Sequence, residues 1–360
     1  MQDDDTDTQA RLSVRGRGTG ELAKGRFEQL EVEYEQDGEE HQIKTQLFKD
    51  TSRSIIATND SPDVGFNATL NPYRGCEHGC IYCYARPTHE YLGLSAGLDF
   101  ETKLFAKTDA PALLREKLQL KSWVPQSIGL SGVTDCYQPT ERKLKLTRQC
   151  LQVLAEFRNP VVIITKNNLV TRDLDVLSEL AKYNAVHVVL SITTLDKELA
   201  RKMEPRASTP SLRLKAVEQL HAAGIPVSVN MAPIIPGLTD HEIPSLLKAA
   251  ADAGARNAHY NIVRLPYGVK DLFQTWLEEH YPARKQKVLN RIREMRGGKL
   301  NVSEFGKRMG GDGEYAESIA QMFSQSRKRY GLDKPWTPLS TAHFRRAPDA
   351  QLSLFADNKA

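Results

Sequence analysis

The amino-acid sequence predicts an α/β fold built on a parallel sheet, open or barrel-like, across about residues 66–266. Short apolar runs rich in β-branched residues recur there, and such runs are typical of strands buried on both faces of a parallel sheet. A helical pattern of apolar residues follows them, and this alternation favours parallel strands joined by helices. The predicted strands are FNATL at 66–70, VVIITK at 161–166, VHVVLSITT at 186–194, IPVSVNMAPII at 225–235 and NAHYNIVRL at 257–265.

The helices between these strands have recognisable ends. Asp173 is placed to cap the helix after VVIITK, whose apolar face comprises Leu174, Leu177 and Leu180. The next helix begins with Pro210 at its first helical position and ends at Gly224. A further helix is expected between residues 240 and 254.

Three polar or ring-bearing residues fall where the predicted strands end. They are Lys166, Ser191 and Pro233. In barrels of this type the chemistry lies at the C-terminal strand ends, so these positions are candidates for the site.

The flanking segments differ from the α/β core in composition. We expect a disordered, polar N-terminus at 1–25 and a β-rich lead-in at 26–65, where polar and apolar residues alternate. The core is expected to span 66–268. A helical, basic extension should occupy 269–334, and a mobile tail 335–360.

Composition argues against membrane and secreted classes. No stretch approaches the roughly 20 apolar residues that span a bilayer, and the N-terminus has no apolar segment of the kind that directs secretion. Three of the five cysteines are clustered, which indicates metal ligation in a reducing compartment. We therefore expect a cytoplasmic protein.

Positive charge is concentrated towards the C-terminus. Residues 283–346 contain 15 Lys and Arg against 6 Asp and Glu, whereas the whole chain carries a formal net charge of +4. This asymmetry predicts a polyanionic partner and favours nucleic acid. The alternative is an ordinary solvated helical surface.

The cysteine cluster lies in NPYRGCEHGCIYCYAR at 71–86. Its spacing is Cys76-x3-Cys80-x2-Cys83, with no fourth cysteine close by. His78 or His89 could complete a Cys3His zinc site. Three thiolates also suit a [4Fe–4S] cluster that leaves one iron free for a cofactor or substrate.

This loop, with Tyr82 directly before its last cysteine, resembles the signature of the radical S-adenosylmethionine (radical SAM) superfamily. Further segments resemble its spore photoproduct lyase-like, or DNA-photolyase-like, branch: SGVTDCYQPTER, ITKN, LSITT, EPRASTP and APIIPGLTD. The resemblance covers roughly 66–266 and implies a partial (β/α)6 barrel. It also implies a [4Fe–4S] cluster whose open iron binds S-adenosylmethionine, a 5′-deoxyadenosyl radical formed by reductive cleavage, and an electron donor.

The resemblance also implies roles for individual residues. Cys76, Cys80 and Cys83 would hold the cluster. Tyr82 would contact the adenine, and the segment from Ser131 to Asp135 would hold the cofactor's amino group. The remaining implied contacts are Lys166 to the cofactor carboxylate, Ser191 to the ribose, Ala232 and Pro233 beside the adenine, and Arg206 to cofactor or substrate. Lys166 could instead end in water, Ser191 could bond its own backbone, and Arg206 could form a surface ion pair with Glu204.

One feature departs from the branch. Spore photoproduct lyase uses an additional cysteine after its second strand as a hydrogen donor, and this sequence has Ser131-Gly132-Val133-Thr134 there. Cys136 is the nearest substitute, and the missing cysteine argues against thymine-dimer reversal as the native reaction. Cys150 lies on the apolar edge of a predicted helix and is expected in the core.

The tail contains QLSLF at 351–355, which resembles the pentapeptide that binds the bacterial sliding clamp. Leu354 and Phe355 would fill an apolar pocket, with Gln351 and Leu352 completing the contact; the alternative is a tail folded back on its own domain.

The sequence thus predicts a radical SAM enzyme acting on or near DNA, in repair or modification. Two alternatives remain: the same chemistry on a protein or small metabolite, and a zinc-stabilised, non-catalytic DNA-binding protein recruited by the clamp.

Overall fold

The structure, a computed structural model, describes residues 14–23, 25–27, 42–335 and 337–346. Its strands are β1 Gln46–Lys49, β2 Ile56–Thr58, β3 Ala68–Leu70, β4 Tyr73–Arg74, β5 Lys103–Ala106, β6 Ile128–Leu130, β7 Val161–Thr165, β8 Val186–Ser191, β9 Val227–Ile234 and β10 Ala258–Ile262. Its α-helices are α1 Leu98–Thr102, α2 Ala110–Gln119, α3 Glu141–Leu144, α4 Leu146–Phe157, α5 Leu174–Ala181, α6 Lys197–Met203, α7 Pro210–Ala222, α8 Ile243–Asp252, α9 Val269–His280, α10 Pro282–Glu294 and α11 Glu314–Arg329. Short 3₁₀ segments span Arg86–Leu92, Asn168–Asp173 and Asp240–Glu242.

The main sheet has seven strands in the order β10-β9-β8-β7-β6-β3-β2. All neighbours pair in parallel except β2 and β3, which are antiparallel. Six parallel strands joined by helices form the partial (β/α)6 barrel that the resemblance implies. The predicted fold class is confirmed.

Burial explains the apolar runs of the central strands. Every residue of β8 is buried, and β7 has only Ile164 partly exposed. A strand covered on both faces has no solvent side to alternate with, so its sequence reads as a continuous apolar run. Cys150 is fully buried in the same core, as expected.

The lead-in strands join the main body. β2 extends the seven-stranded sheet, whereas β1 pairs in parallel with β5 in a smaller sheet of order β1-β5-β4. Most of the alternating stretch that predicted further strands between residues 26 and 41 lies outside the described residues. Among the helices of the described ranges, none is long and apolar enough to cross a membrane.

The predicted capping role of Asp173 is wrong. Its side chain makes no cap hydrogen bond. Instead, the buried carboxylate accepts hydrogen bonds from Arg148 Nη1 at 2.8 Å, Arg172 Nη2 at 2.8 Å and Tyr137 Oη at 3.0 Å. Partners from other helices and loops outcompete the local backbone because a buried carboxylate needs cations and donors.

Two segments that we expected to be disordered or mobile are packed in part. Residues 14–23 contact the loop of the cysteines, with Thr19 and Glu21 buried. Residues 337–346 lie along the main body, where the Arg345 amide donates to Phe157 O at 2.9 Å. Those two expectations are therefore wrong for these residues, while QLSLF at 351–355 lies outside the described part of the chain.

A contact between side chains and backbone joins the two edges of the main sheet. Asp63, in the loop between β2 and β3, accepts a hydrogen bond from the Gly306 amide at 2.8 Å and an ion-pair contact from Arg308 Nε at 2.5 Å. The chain beyond Arg308 borders the other edge, because the amide of Ile262 in β10 donates to Met309 O at 2.8 Å. We call this contact the edge closure.

A buried ion pair fixes the loop that carries the cysteines. Glu204, just after α6, pairs with Arg213 of α7 and accepts a hydrogen bond from the hydroxyl of Tyr82. Arg213 also donates to the carbonyls of Ser191 at 3.0 Å and Ser208 at 2.8 Å. Burial opposes the charge on Glu204, but Arg213 and then Lys166 lower the pKa of its carboxyl to about 2.

We expect the variant Glu204→Gln to lower the free energy of unfolding by about 3–5 kcal/mol at pH 7, because it leaves Arg213 buried without its counter-ion. Urea denaturation of the metal-free protein measures this loss. The control is Glu198→Gln in α6, whose ion pair with Arg201 is exposed and is expected to contribute less than about 1 kcal/mol. Equal losses in the two variants would contradict a structural role for the buried pair.

The same pair predicts a pH dependence. Because the pKa of Glu204 is lower in the folded protein than its usual 4.5, its stabilisation is complete above that pH and declines as the pH falls towards about 2. The difference in unfolding free energy between the wild type and Glu204→Gln should therefore narrow below about pH 4.5. Urea titrations at a series of pH values measure it, and a constant difference would argue against ionised Glu204.

Candidate active site

The three clustered cysteines lie in one loop after β4, held at both sides. The Cys76 amide donates to Phe100 O at 2.9 Å, and the Ile81 amide donates to Met203 O at 3.0 Å. Gly79 has φ +64°, and a Cβ there would lie 2.6 Å from Glu101 Oε2. The glycine between the first two cysteines is thus required by both backbone conformation and space.

The thiols are free and largely enclosed. Cys76 and Cys80 are buried and Cys83 is partly exposed. Burial, and then the charge of Glu204, raises the pKa of Cys80, while burial and then Cys76 raise the pKa of Cys83. Gathering thiolates here requires positive charge from a bound metal group, and three thiolates from one loop are a donor set that suits a [4Fe–4S] cluster.

The two histidines that could complete a zinc site point to other partners. His78 lies with Nδ1 3.4 Å from Asp135 Oδ2 and Nε2 3.1 Å from Asn167 Nδ2, and it also contacts the Cys76 thiol. His89 Nε2 lies 2.9 Å from Lys103 O. Within the described ranges, no group of three or more His, Cys, Asp or Glu side chains is arranged to hold a single metal ion.

Lys166 lies at the C-terminal end of β7, beside the cysteine loop. Its ammonium donates to Ala232 O at 3.2 Å and lies 5.9 Å from the centre of the Tyr82 ring. It forms no ion pair with any carboxylate in the described part of the chain. A carboxylate of a bound molecule would supply the missing counter-charge. Pro233 follows Ala232 on the same strand, β9, and both are partly exposed.

Asp135 connects three parts of the site. Its carboxylate accepts hydrogen bonds from Thr165 Oγ1 and the Lys166 amide, each at 2.7 Å, and faces His78. Burial opposes its charge, but His78 lowers the pKa of Asp135 to about 2. Ser131, at φ +85°, accepts a hydrogen bond from the Cys136 amide at 2.8 Å. Both side chains therefore shape the loop after β6.

Two other predicted cofactor contacts, Tyr82 and Arg206, bond to side chains of the protein, and a third, Ser191, is buried at the end of β8. The hydroxyl of Tyr82 lies 3.2 Å from Thr193 Oγ1 in addition to its bond with Glu204. Ser191 is buried, with its carbonyl bonded to Arg213. Arg206 Nη2 lies 3.1 Å from Glu77 Oε1, so the considered ion pair between Arg206 and Glu204 is wrong.

Cys136, the candidate hydrogen donor, has no exposed surface, and burial strongly raises its pKa. Its carbonyl accepts a hydrogen bond from Thr147 Oγ1 at 2.6 Å. In this conformation its thiol belongs to the core, and a donor role requires local movement. That role stays a prediction.

The N-terminal strap, residues 14–23, covers the cysteine loop. The Gly18 amide donates to Glu101 Oε2 at 2.8 Å, and Arg17 Nη1 donates to Glu101 O at 2.8 Å. A Cβ on Gly18 would lie 1.8 Å from Gly79 O, so the two backbones are in direct contact. Sequence reasoning missed the strap because Gly and Arg in a polar segment are typical of disorder.

Two further residues at the site were missed. Tyr84 directly follows the last cysteine, and its hydroxyl donates to Gly132 O at 2.8 Å. The guanidinium of Arg264, two residues beyond β10, lies 4.6 Å from the centre of the Tyr84 ring. The sequence signals that could have identified them are the position of Tyr84 next to a cysteine and that of Arg264 just beyond the end of a strand.

The chain is similar to known proteins over this region. A sequence model of the radical SAM superfamily matches residues 70–250. Protein Rv2578c of Mycobacterium tuberculosis is 37% identical over 244 residues, covering 66% of this chain and 71% of that protein. Protein MJ0683 of Methanocaldococcus jannaschii is 27% identical over 248 residues, covering 69% and 88%.

Among solved structures, spore photoproduct lyase complexed with dinucleoside spore photoproduct matches with a TM-score of 0.55 and 16% identity. The match covers 79% of each chain. At this identity the likeness establishes the shared fold. Together with the family match over the cysteine loop and four of the six parallel strands, it leads to one conclusion: this chain belongs to the radical SAM superfamily and is a radical SAM enzyme.

Proposed function

We propose that Cys76, Cys80 and Cys83 bind a [4Fe–4S] cluster and that the enzyme uses it, with S-adenosylmethionine, on or near DNA. When bound, the reduced cluster supplies the electron that cleaves S-adenosylmethionine to a 5′-deoxyadenosyl radical. The observation that supports this proposal best is the enclosed three-thiol loop beside Lys166, at the C-terminal ends of the barrel strands.

The residues around the loop would bind and orient the cofactor. Lys166 would pair with its carboxylate, because the ammonium lacks a carboxylate partner among the described residues. Ala232 and Pro233 would border the adenine beside the Tyr82 ring. Ser191 would reach the ribose, and the segment from Ser131 to Asp135 would hold the amino group. Arg206, paired with Glu77, would contact cofactor or substrate from the side of the loop.

Nucleic acid is the proposed substrate class because α10, which belongs to the basic stretch 283–346, borders the site. Gly237, after β9, faces this helix, since a Cβ there would lie 3.8 Å from Lys287 Cγ and from Arg291 Cγ. The basic end of α11 lies at the other end of the barrel, because the Ala258 amide at the start of β10 donates to Leu332 O at 3.2 Å. Of the two basic helices, α10 therefore brings its positive charge near the mouth of the barrel, and α11 does not.

Repair or modification of a base is the proposed reaction class, with Cys136 as a candidate hydrogen donor. An electron donor is required as a partner. Clamp docking through Gln351, Leu352, Leu354 and Phe355 stays a separate prediction.

The cofactor proposal is tested on anaerobically purified, full-length protein by metal content and electron paramagnetic resonance, with and without S-adenosylmethionine. We expect about four irons per chain and a signal from the reduced protein that changes when S-adenosylmethionine is added. Cys83→Ala should lose the iron. Lys166→Met should keep it but weaken cofactor binding at least about tenfold, because one charge-assisted contact is removed.

Three results would contradict this proposal. One tightly bound zinc without a cluster signal would favour the zinc-stabilised accessory protein. Full iron in Cys83→Ala would overturn the ligand assignment. An unchanged cofactor affinity in Lys166→Met would remove that residue from the site.

The DNA proposal is tested by fluorescence anisotropy with labelled duplex DNA at a series of salt concentrations. Affinity should fall steeply with salt, and Lys287→Glu should weaken binding and reduce the salt slope by about one. The matched control is Lys328→Glu, an equally exposed lysine of the same basic stretch at the far end of the barrel. Equal effects would point to general charge, and a flat salt response would exclude the basic stretch as a DNA footprint.

A further inference from the structure

Arg264 and Tyr84 form a contact across the mouth of the barrel, beside the third cysteine. Arg264 follows β10, the last strand of the sheet, whereas Tyr84 reaches Gly132 in the loop after β6. The Arg264 guanidinium lies close enough to Cys83 for their charges to interact. The pair therefore borders the space in which a substrate must lie to meet chemistry at the cysteine loop.

Arg264 is a partly buried cation without a carboxylate partner. Within the described ranges it makes no hydrogen bond or ion pair through its guanidinium; its contact is with the Tyr84 ring. Burial lowers the pKa of Arg264, and neighbouring Arg308 lowers it further. Taking a cation out of water without a counter-ion is unfavourable, so the position is suited to an anion supplied by a ligand.

The neighbouring arginines add to this positive charge. Arg308 is paired with Asp63, and Arg296 is buried with Nη2 donating to Val263 O at 2.7 Å. Arg296 Nε and Nη1 are buried without a hydrogen-bond partner in the described structure. The charge of Asp63 acts on Arg264 as well as on its partner Arg308, and that of Asp312 acts on Arg296. Three arginines against these two carboxylates leave the cluster with an excess of positive charge.

Tyr84 supplies a flat apolar surface at the same place. The residue is 49% exposed, at the mouth of the barrel. An aromatic ring accessible to solvent stacks on a nucleobase, and an arginine beside it binds a phosphate with its planar fork of donors. A carboxylate ligand would use the arginine but not the ring, so the combination favours a nucleotide unit.

We infer that Arg264 and Tyr84 form a phosphate-binding and base-stacking subsite that positions one nucleotide of the substrate next to Cys83. This inference rests on the proposed action on nucleic acid and identifies the residues that would hold the reacting part of the strand. Arg264 is a positioning residue, and the phosphate it binds would be a backbone phosphodiester.

The test measures binding of a labelled single-stranded oligonucleotide to the full-length, iron-loaded protein by anisotropy. Arg264→Gln should weaken binding at least about tenfold, and Arg264→Lys should retain part of the affinity because the charge remains but the bidentate geometry is lost. The matched control is Arg256→Gln: Arg256 is exposed, lies before the other end of β10 and should change the affinity less than about twofold.

A second set of probes tests the contact with phosphate. Oligonucleotides in which one linkage at a time is an uncharged methylphosphonate are bound by the wild type and by Arg264→Gln. At one linkage, the methylphosphonate should weaken binding to the wild type by as much as Arg264→Gln weakens binding to the unmodified strand. The same methylphosphonate should not weaken binding to Arg264→Gln any further. Replacing Tyr84 by Leu should weaken binding, whereas Tyr84→Phe, which keeps the ring, should not.

Iron content and cofactor cleavage without substrate distinguish the ways in which the inference can fail. Both should be unchanged in Arg264→Gln. Weaker S-adenosylmethionine binding in that variant would assign Arg264 to the cofactor carboxylate and overturn the inference. Equal losses of oligonucleotide affinity in Arg264→Gln and Arg256→Gln would also overturn the inference, but they would not contradict the proposed action on nucleic acid. A wild type that cleaves the cofactor but binds no oligonucleotide, and binds an acidic peptide through Arg264, would overturn both this subsite and the nucleic-acid substrate.

Discussion

The buried carboxylate of Glu204 is the constraint on which the arrangement of the site depends. It accepts a hydrogen bond from the hydroxyl of Tyr82, which lies between the second and third cysteines in the sequence. Arg213 pairs with the same carboxylate and donates to the carbonyl of Ser191 at the C-terminal end of β8. A buried pair of this kind contributes little net stability compared with apolar packing, but a single missing partner is costly. The pair therefore restricts the cysteine loop to one position relative to the strand ends.

The same ion pair determines which charges remain available near the loop. Arg213 neutralises Glu204, so Lys166 lies near that carboxylate without pairing with it. Asp135 is satisfied in the same way by His78, Thr165 and the backbone of Lys166. Two cations beside the cysteine loop, Lys166 after β7 and Arg264 after β10, form no ion pair with a carboxylate in the described structure. On the proposed function each faces a different anion.

The sequence predicted the fold class because the core strands are buried on both faces. β7 and β8 show this in uninterrupted apolar runs, and the cysteine spacing is a local property that folding does not alter. The roles of Asp173 and Glu204 could not be predicted, because their partners lie on other elements and depend on tertiary packing. Tyr84 and Arg264 are 180 residues apart in the chain, and their contact depends on the way the sheet curves.

The packed strap shows the limit of composition as a guide. Gly and Arg in residues 14–23 resemble a disordered segment, but Gly18 is required by the direct contact with Gly79, and Arg17 by the carbonyl of Glu101. Contacts of this kind depend on the close approach of two backbone segments, and such an approach leaves no hydrophobic pattern in the sequence.

At the edge closure, side chains hold the barrel together where strand pairing does not. Around the rest of the main sheet, backbone hydrogen bonds join each strand to the next, and these open only when strands separate. Between β2 and β10, by contrast, the carboxylate of Asp63 accepts from Arg308 and the Gly306 amide, and the hydroxyl of Ser61 accepts a further bond from Arg308. Breaking those few bonds leaves every strand pairing in place. On the proposed function, a long nucleic-acid strand whose ends are far away would then enter sideways, without being threaded along the barrel axis.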